Sequence, residues 1–283
     1  MKKLYILFFA IIISSIIIYS CDKDSNTANY TQQTGLAQDY VFVQGIYSDI
    51  FKLICLASGD SSLAVTGIGM IGGANVVYDS INDKYTFNFG NIKSTNGKSG
   101  SFVADCNGDF QEQGTKTSIS FNNFYVGNSR VEGSNDITNQ GKLSKTTGVT
   151  IQYTDSITNA IIIEGNDTIT FTAGYSVAWS LNSPTNPLDD IYTFGGSISG
   201  STNSNKSFSA TISSNALIVF SPSCSHILSG IINMVMNTID SNNAPVVTNV
   251  TVDFIQGDGP NNDGCNNQIT VTTNGTIASF PIQ

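Results

Sequence analysis

His226 is the only histidine among 283 residues, so any mechanism needing an imidazole base must pass through it. A Ser-His-Asp arrangement also needs a serine lifted on a sharp elbow such as Gly-x-Ser-x-Gly, and the chain has none. Ser225 cannot serve, because neighbours on a strand point to opposite faces. His226 is therefore read as structural. Glycoside hydrolysis asks for two carboxyls held ~5–9.5 Å apart. Carboxylates such as Asp189 or Glu164 are candidates for that role; Asp189-Asp190 could form a pair but, after Pro187 and before a strand, look like a solvated turn. Trp179, the only tryptophan, has Tyr175 nearby, and an exposed pair of such rings would stack on sugars. The bland alternative, a tryptophan packed in the core, is the stronger expectation.

Metal chemistry finds little support. The loop from Asp258 to Gly264 is rich in oxygen donors but lacks the EF-hand register of acids or amides at positions one, three and five before a glycine. It reads as a hairpin loop. There is no Cys-x-x-Cys, and His226 lies two residues from Cys224, which is not a usual zinc spacing. Neither a metal nor a cofactor is expected.

The most informative stretch is the N-terminus. Lys2 and Lys3 precede an apolar run from Leu4 to Ile18, which ends in Tyr19, Ser20 and Cys21. A basic start, a short apolar segment and a small residue directly before a cysteine resemble a bacterial lipoprotein signal peptide. A transmembrane helix needs ~20 apolar residues, and this run falls short. The resemblance implies removal of residues 1–20, lipidation of Cys21 and attachment to a membrane through that lipid. Residues 21–34, rich in Asn, Thr, Ser and Gln, read as a flexible tether. Residues 35–283 form the β-rich domain.

Charge narrows the partners. Residues 1–20 carry two of the 12 basic residues and none of the 21 acids, which leaves 10 against 21, a formal charge of −11. Such a surface repels phosphate backbones, so nucleic acid is excluded as a partner. A protein or glycan partner stays open. Four cysteines remain beyond Cys21, namely Cys55, Cys106, Cys224 and Cys265. An exported protein can form disulfides, and four cysteines allow three complete pairings. Four buried free thiols are the alternative.

The elements that must position these residues follow from periodicity. Leu36, Tyr40, Val43, Tyr47, Ile50, Phe51 and Ile54 recur at steps of three and four, with Asp39, Gln44, Asp49 and Lys52 on other faces. This predicts an amphipathic helix over residues 36–56, capped by Thr34 and stopped at Gly59. From about residue 61 the period becomes two. Tyr85-Phe87-Phe89, Ile151-Tyr153, Tyr192-Phe194, Phe208-Ala210-Ile212, Val250-Val252-Phe254 and Ile269-Val271 alternate with polar residues, and Gly127-Asn128, Gly165-Asn166 and Asn274-Gly275 separate such runs. Alternation plus short Gly/Asn turns means antiparallel hairpins with one wet face. A parallel α/β sheet is excluded, since nothing helical connects the strands. The evenly apolar stretch Ile227–Val235 predicts a central strand buried on both faces. The predicted class is all-β, an antiparallel sandwich or curved meander with one N-terminal helix packed on it.

Residues 85–102 and 192–208 share Tyr-Thr-Phe, a glycine, a Ser-Thr-Asn turn and a Lys-Ser before phenylalanine. They suggest two related hairpin-built halves. No third copy supports a solenoid.

Several short motifs together resemble uncharacterised outer-membrane lipoproteins of the Bacteroidota. They are Tyr85–Gly90, Phe124-Tyr125-Val126 with Val131-Glu132-Gly133, Asp190-Ile191-Tyr192 before Gly195, Cys224 before Ser229-Gly230, and Val252-Asp253-Phe254 before Gly264-Cys265-Asn266. The likeness runs from about residue 35 to 275. It implies an outer-membrane location, periplasmic or surface-facing, and a β architecture, but no catalytic residue. Cys224 and Cys265 recur in those lipoproteins, so the resemblance implies their pairing. Cys55 and Cys106 are additions here, and a bond between them is the parsimonious expectation. The functional expectation is a membrane-anchored envelope lipoprotein with a non-enzymatic binding or structural role. The alternative is a surface glycan hydrolase using a carboxylate pair.

Overall fold

The computed structural model describes residues 25–92, 97–145, 148–182, 187–224, 226–240, 242–254 and 268–281. A long helix, α1 (Ser25–Gly59), is followed by the short α2 (Ser61–Thr66). Fifteen strands come next: β1 (Ile68–Ile71), β2 (Ala74–Asp79), β3 (Lys84–Gly90), β4 (Lys98–Cys106), β5 (Lys116–Val126), β6 (Ser129–Lys145), β7 (Gly148–Glu164), β8 (Asp167–Leu181), β9 (Ile191–Thr202), β10 (Ser207–Ile212), β11 (Ile218–Phe220), β12 (Gly230–Ile239), β13 (Pro245–Phe254), β14 (Gln268–Thr273) and β15 (Thr276–Pro281). They form one antiparallel sheet in which nearly every strand pairs with its neighbours in sequence. Only β11 leaves the meander, pairing with the first part of β9 while β10 pairs with the second. The architecture is the all-β meander with a packed N-terminal helix.

Short turns set this order. Asn274 and Gly275 both have positive φ (49° and 80°), the conformation a two-residue type I′ hairpin turn requires. Alternation then decides which face is buried. Tyr85, Phe87, Phe89, Ile151, Tyr153, Phe208 and Val252 all point inward, and the residues between them are mostly exposed or half-exposed. Bulges bend the long strands. At the β6–β7 bulge Gly133 has φ 113°, and a Cβ there would lie 2.6 Å from the Ala160 Cα.

The sheet packs around α1. Phe51 meets four rings edge-on, those of Phe110, Tyr153, Tyr192 and Phe194, at 5.2–6.1 Å. Residues Leu36 to Ala57 are buried on most of the helix circumference, including polar Gln44 and Ser48. Gln44 and Ser48 satisfy each other, because Gln44 Nε2 donates to Ser48 Oγ at 3.0 Å. The segment Gly35–Gly59 is long and apolar enough to cross a membrane by length and composition, yet most of it is buried against the sheet. At the far end of α1, Asp49 holds two ammonium groups, Lys52 at 2.7 Å and Lys98 of β4 at 2.6 Å. Burial acts to raise the Asp49 pKa, but the two lysines outweigh it and hold the carboxyl below its ordinary value.

Three expectations are corrected. The backbone is helical from Ser25, so Ser25–Thr34 is not a loose tether and Thr34 lies inside α1 instead of capping it. The cap falls one helix later, where Asp60 accepts from the backbone N–H of Ser62 and Leu63. The stretch Ile227–Val235 is not buried on both faces either: β12 starts at Gly230 and alternates, with Asn233 and Val235 outward. Its even hydrophobicity reflects an outward Ile231 and Val235, which share that face with Asn233 and Asn237. The two echoing segments each form a hairpin, β3–β4 and β9–β10, in the same continuous sheet.

Candidate functional site

A cleft of about 370 Å3 opens where α1 enters the sheet. Two hairpin turns form its rim. One joins β7 to β8 and carries Glu164 and Asp167; the other joins β9 to β10 and carries Ser204 and Lys206. The turns are latched together, since Asn203 N donates to Thr168 O at 3.0 Å and Asn203 Nδ2 to Asn166 O at 2.6 Å. The helix closes the other side with Leu36, Asp39 and Phe42, and Ile162 and Ile169 supply an apolar wall.

The electrostatics are acidic. Burial pushes the Asp39 carboxyl from 3.8 up to about 6; the charges of Asp167 and Glu164 add to the rise and Lys206 opposes it. Ser129 Oγ donates to Glu164 Oε2 at 3.3 Å, which fixes one side of that carboxylate. The cleft thus holds three carboxyls, one ammonium, several hydroxyls and an apolar floor. That set can bind a ligand carrying cationic or hydroxyl groups beside a small apolar body. Among the described residues no group of three His, Cys, Asp or Glu is placed to hold a metal ion.

Residues singled out from sequence fall mostly elsewhere. Glu164 lines the cleft, but Asp189 does not; it is an exposed residue of the 3-10 turn Pro187–Asp189. Of the two candidate acids only Glu164 stands among other carboxyls of the cleft, those of Asp39 and Asp167. Asp190 is no solvated turn residue, being 1% exposed. Its carboxylate accepts from Trp179 Nε1 at 2.8 Å and from Asn182 N at 3.2 Å. Trp179 and Tyr175 cannot be a sugar platform, because both point into the core, at 2% and 4% exposure. Their inward register on β8, opposite Ile151 and Asp155 of β7, decides this.

Cys55 and Cys106 are free, buried thiols, so the expected bond between them does not form. Each has another partner: Cys106 Sγ accepts from Thr117 Oγ1 at 3.2 Å, and Cys55 interacts with the Tyr192 hydroxyl. Cys224 is disulfide-bonded. Cys21, Cys265 and the oxygen-rich loop Asp258–Gly264 lie outside the described residues. His226 is half-buried, and burial, with the charge of Lys52, lowers its pKa below 6.5.

Asp39, Asp167 and Lys206 escaped sequence reading. Each looked like an ordinary polar residue of a helix face or turn, and nothing in local spacing joins them. Asp155 and Asn135 left a clearer signal, for both occupy inward positions of alternating strands where an apolar residue is expected.

Comparison with protein-family models, curated proteins and solved structures finds no match.

Proposed function

We propose that the chain is a cell-envelope lipoprotein, anchored on the outer membrane by acyl groups on Cys21, that binds a ligand and does not transform it. The single observation behind the binding role is the cleft between Asp39, Glu164, Asp167 and Lys206, with its apolar wall of Ile162 and Ile169. Sequence supports the anchor: a basic start, a short apolar run and Ser20 before Cys21. Helix α1 begins four residues past Cys21 and reaches Asp39 after 14 more, ~20 Å of helix at ~1.5 Å per residue. A lipid on Cys21 would therefore hold the cleft close to the bilayer surface. Two or three acyl chains, at ~0.8 kcal/mol per buried methylene, make such an anchor permanent.

The test has two arms. Replacing Cys21 by serine should move the protein from the detergent phase to the aqueous phase; retention in detergent would overturn the lipid anchor. Calorimetry of the mature chain against oligosaccharides and lysine-containing tripeptides should find a ligand whose binding weakens at least about tenfold in Glu164→Gln. Binding unchanged in that variant, or none to any probe, would overturn the cleft as the site.

One observation favours a second reading, a surface glycan hydrolase. Asp39 keeps its proton up to about pH 6 beside two further carboxyls, and such divergent environments separate a general acid from its partner. In that reading Asp39 is the acid and Glu164 or Asp167 the base or nucleophile. Release of reducing sugar by the wild type, lost in Asp39→Asn with melting unchanged, would select it.

A further inference from the structure

Beneath α1, and separate from the cleft, lie polar groups that no protein partner satisfies. Both carboxylate oxygens of Asp155, both side-chain polar atoms of Asn135 and the Tyr47 hydroxyl are buried without a hydrogen bond. All three residues are only 1% exposed. Leaving a buried polar group unsatisfied costs about 1–3 kcal/mol, and more when it is charged.

Register brings the three together. Ile137 of β6 stands opposite Asp155 of β7, and Asn135 opposite Ile157, so Asn135 and Asp155 are diagonal neighbours on the inner face. Such neighbours lie ~7–8 Å apart at the backbone, within side-chain reach of a shared guest. Tyr47 comes down from α1 above them. Its ring packs edge-on against Phe121 of β5 at 6.3 Å and Phe171 of β8 at 5.6 Å, the two strands that bracket β6 and β7. The charge of Asp155 is felt at the Tyr47 hydroxyl.

We propose that Asp155, Asn135 and Tyr47 form a closed internal site for one small monovalent cation of sodium type. The donor set is two carboxylate oxygens, an amide oxygen and a phenol oxygen, all hard ligands suited to group 1 and group 2 ions. A single carboxylate balances one positive charge. A divalent ion would leave excess charge against an apolar wall, and no cluster of three acids exists among the described residues to hold it. No lysine, arginine or histidine forms an ion pair with Asp155 among those residues. A water carried in with the ion would accept from Asn135 Nδ2.

The groups facing Asp155 come from every neighbouring element. Tyr47 faces it from α1 and Tyr175 from β8, with Tyr40 of α1 behind Tyr175, and the outward Asp136 of β6 adds its charge through the sheet. None supplies a positive charge. Burial first, then Asp136, raises the Asp155 pKa to about 8, as expected of a carboxyl with no positive partner.

The experiment is thermal melting of the mature chain at pH 9 in sodium chloride and in choline chloride at equal ionic strength. Choline is too large to enter. Sodium should raise the melting midpoint by about 2–4 °C, the size of shift ~1 kcal/mol produces in a domain this large. The difference should vanish in Asp155→Asn. Asn135→Leu should shrink it while the protein still melts cooperatively. Equal midpoints in sodium and choline at pH 9, or a sodium effect that persists in Asp155→Asn, would overturn the site.

Discussion

The indole N–H of Trp179 donates to the Asp190 carboxylate across 2.8 Å, deep in the fold. The two residues reach each other from β8 and from the residue preceding β9, and Asp190 also accepts from the backbone of Asn182. One carboxylate thus ties the end of β8 to the start of β9, at the place where the chain reverses. Burial raises the Asp190 pKa, and its two donors restrain the rise.

Removing that carboxylate should therefore destabilise the fold. Asp190→Ala leaves the indole N–H and the Asn182 N–H without an acceptor, a cost of about 1–3 kcal/mol for each that stays dry. The sole tryptophan reports the change directly: its emission should be blue-shifted in the wild type and move to the red in Asp190→Ala. Trp179→Phe should cost less when Asp190 is already alanine. Additive effects of the two substitutions in urea unfolding would show that the pair is not coupled.

Stability should fall as pH rises from 7 to 8, with choline as the only buffer cation. Asp155 has a folded pKa of about 8 against an ordinary 3.8, so its stabilisation is complete below pH ~4 and is lost as pH climbs through 8. The slope approaches about 1.4 kcal/mol per pH unit while only the folded state holds the proton. Asp39 gives the same sign but, with a pKa of about 6, has lost most of its proton by pH 7. His226, lowered below 6.5, acts with opposite sign and only at lower pH. Asp155→Asn should flatten the curve between pH 7 and 8. A wild type whose unfolding free energy stays level across that range would refute the buried proton.

Much of this fold was legible because its signals are local. Tyr85, Phe87 and Phe89 face inward as their alternation required, and Asn274-Gly275 turns as its composition required. What stayed hidden depends on contacts between distant residues. Asp39 and Glu164 share a cleft only because the meander curls around α1, and no local period records that curl. The helix start was hidden for a different reason. Seven of the ten residues Ser25–Thr34 are Ser, Asn, Thr or Tyr, weak helix formers, so propensity argued against this extension of α1. Trp179 and Asp190 were visible separately, as a ring and an acid. Their register, not their identity, made them one unit.

Cys55 and Cys106 should resist alkylation in the native protein at pH 8. Burial pushes the Cys55 thiol well above 9.0, and the Cys106 thiol up to about 11, so neither supplies much thiolate. Mass mapping with iodoacetamide should find both unlabelled when folded and both labelled in urea without reductant. Cys224 should label only after reduction, because it is disulfide-bonded. Cys55 and Cys106 that stay unlabelled in urea until reduced would mean that they are bridged after all.

Gly133 should tolerate no side chain. Its φ of 113° is a conformation L residues rarely adopt, and an added Cβ would meet Ala160 Cα at 2.6 Å and Asn159 O at 2.7 Å. Both neighbours are backbone atoms of the facing bulge in β7, so relief requires the two strands to separate. Gly133→Ala should cost about 2–4 kcal/mol from strain and overpacking combined. Gly174, an exposed β8 residue with nothing within 4 Å of a built Cβ, is the control. Gly174→Ala should be neutral or slightly stabilising, since glycine inside a strand is entropically costly. Urea midpoints separate the two variants. If Gly133→Ala unfolds at the same urea concentration as Gly174→Ala, the paired bulge does not hold the strands as close as 2.6 Å implies.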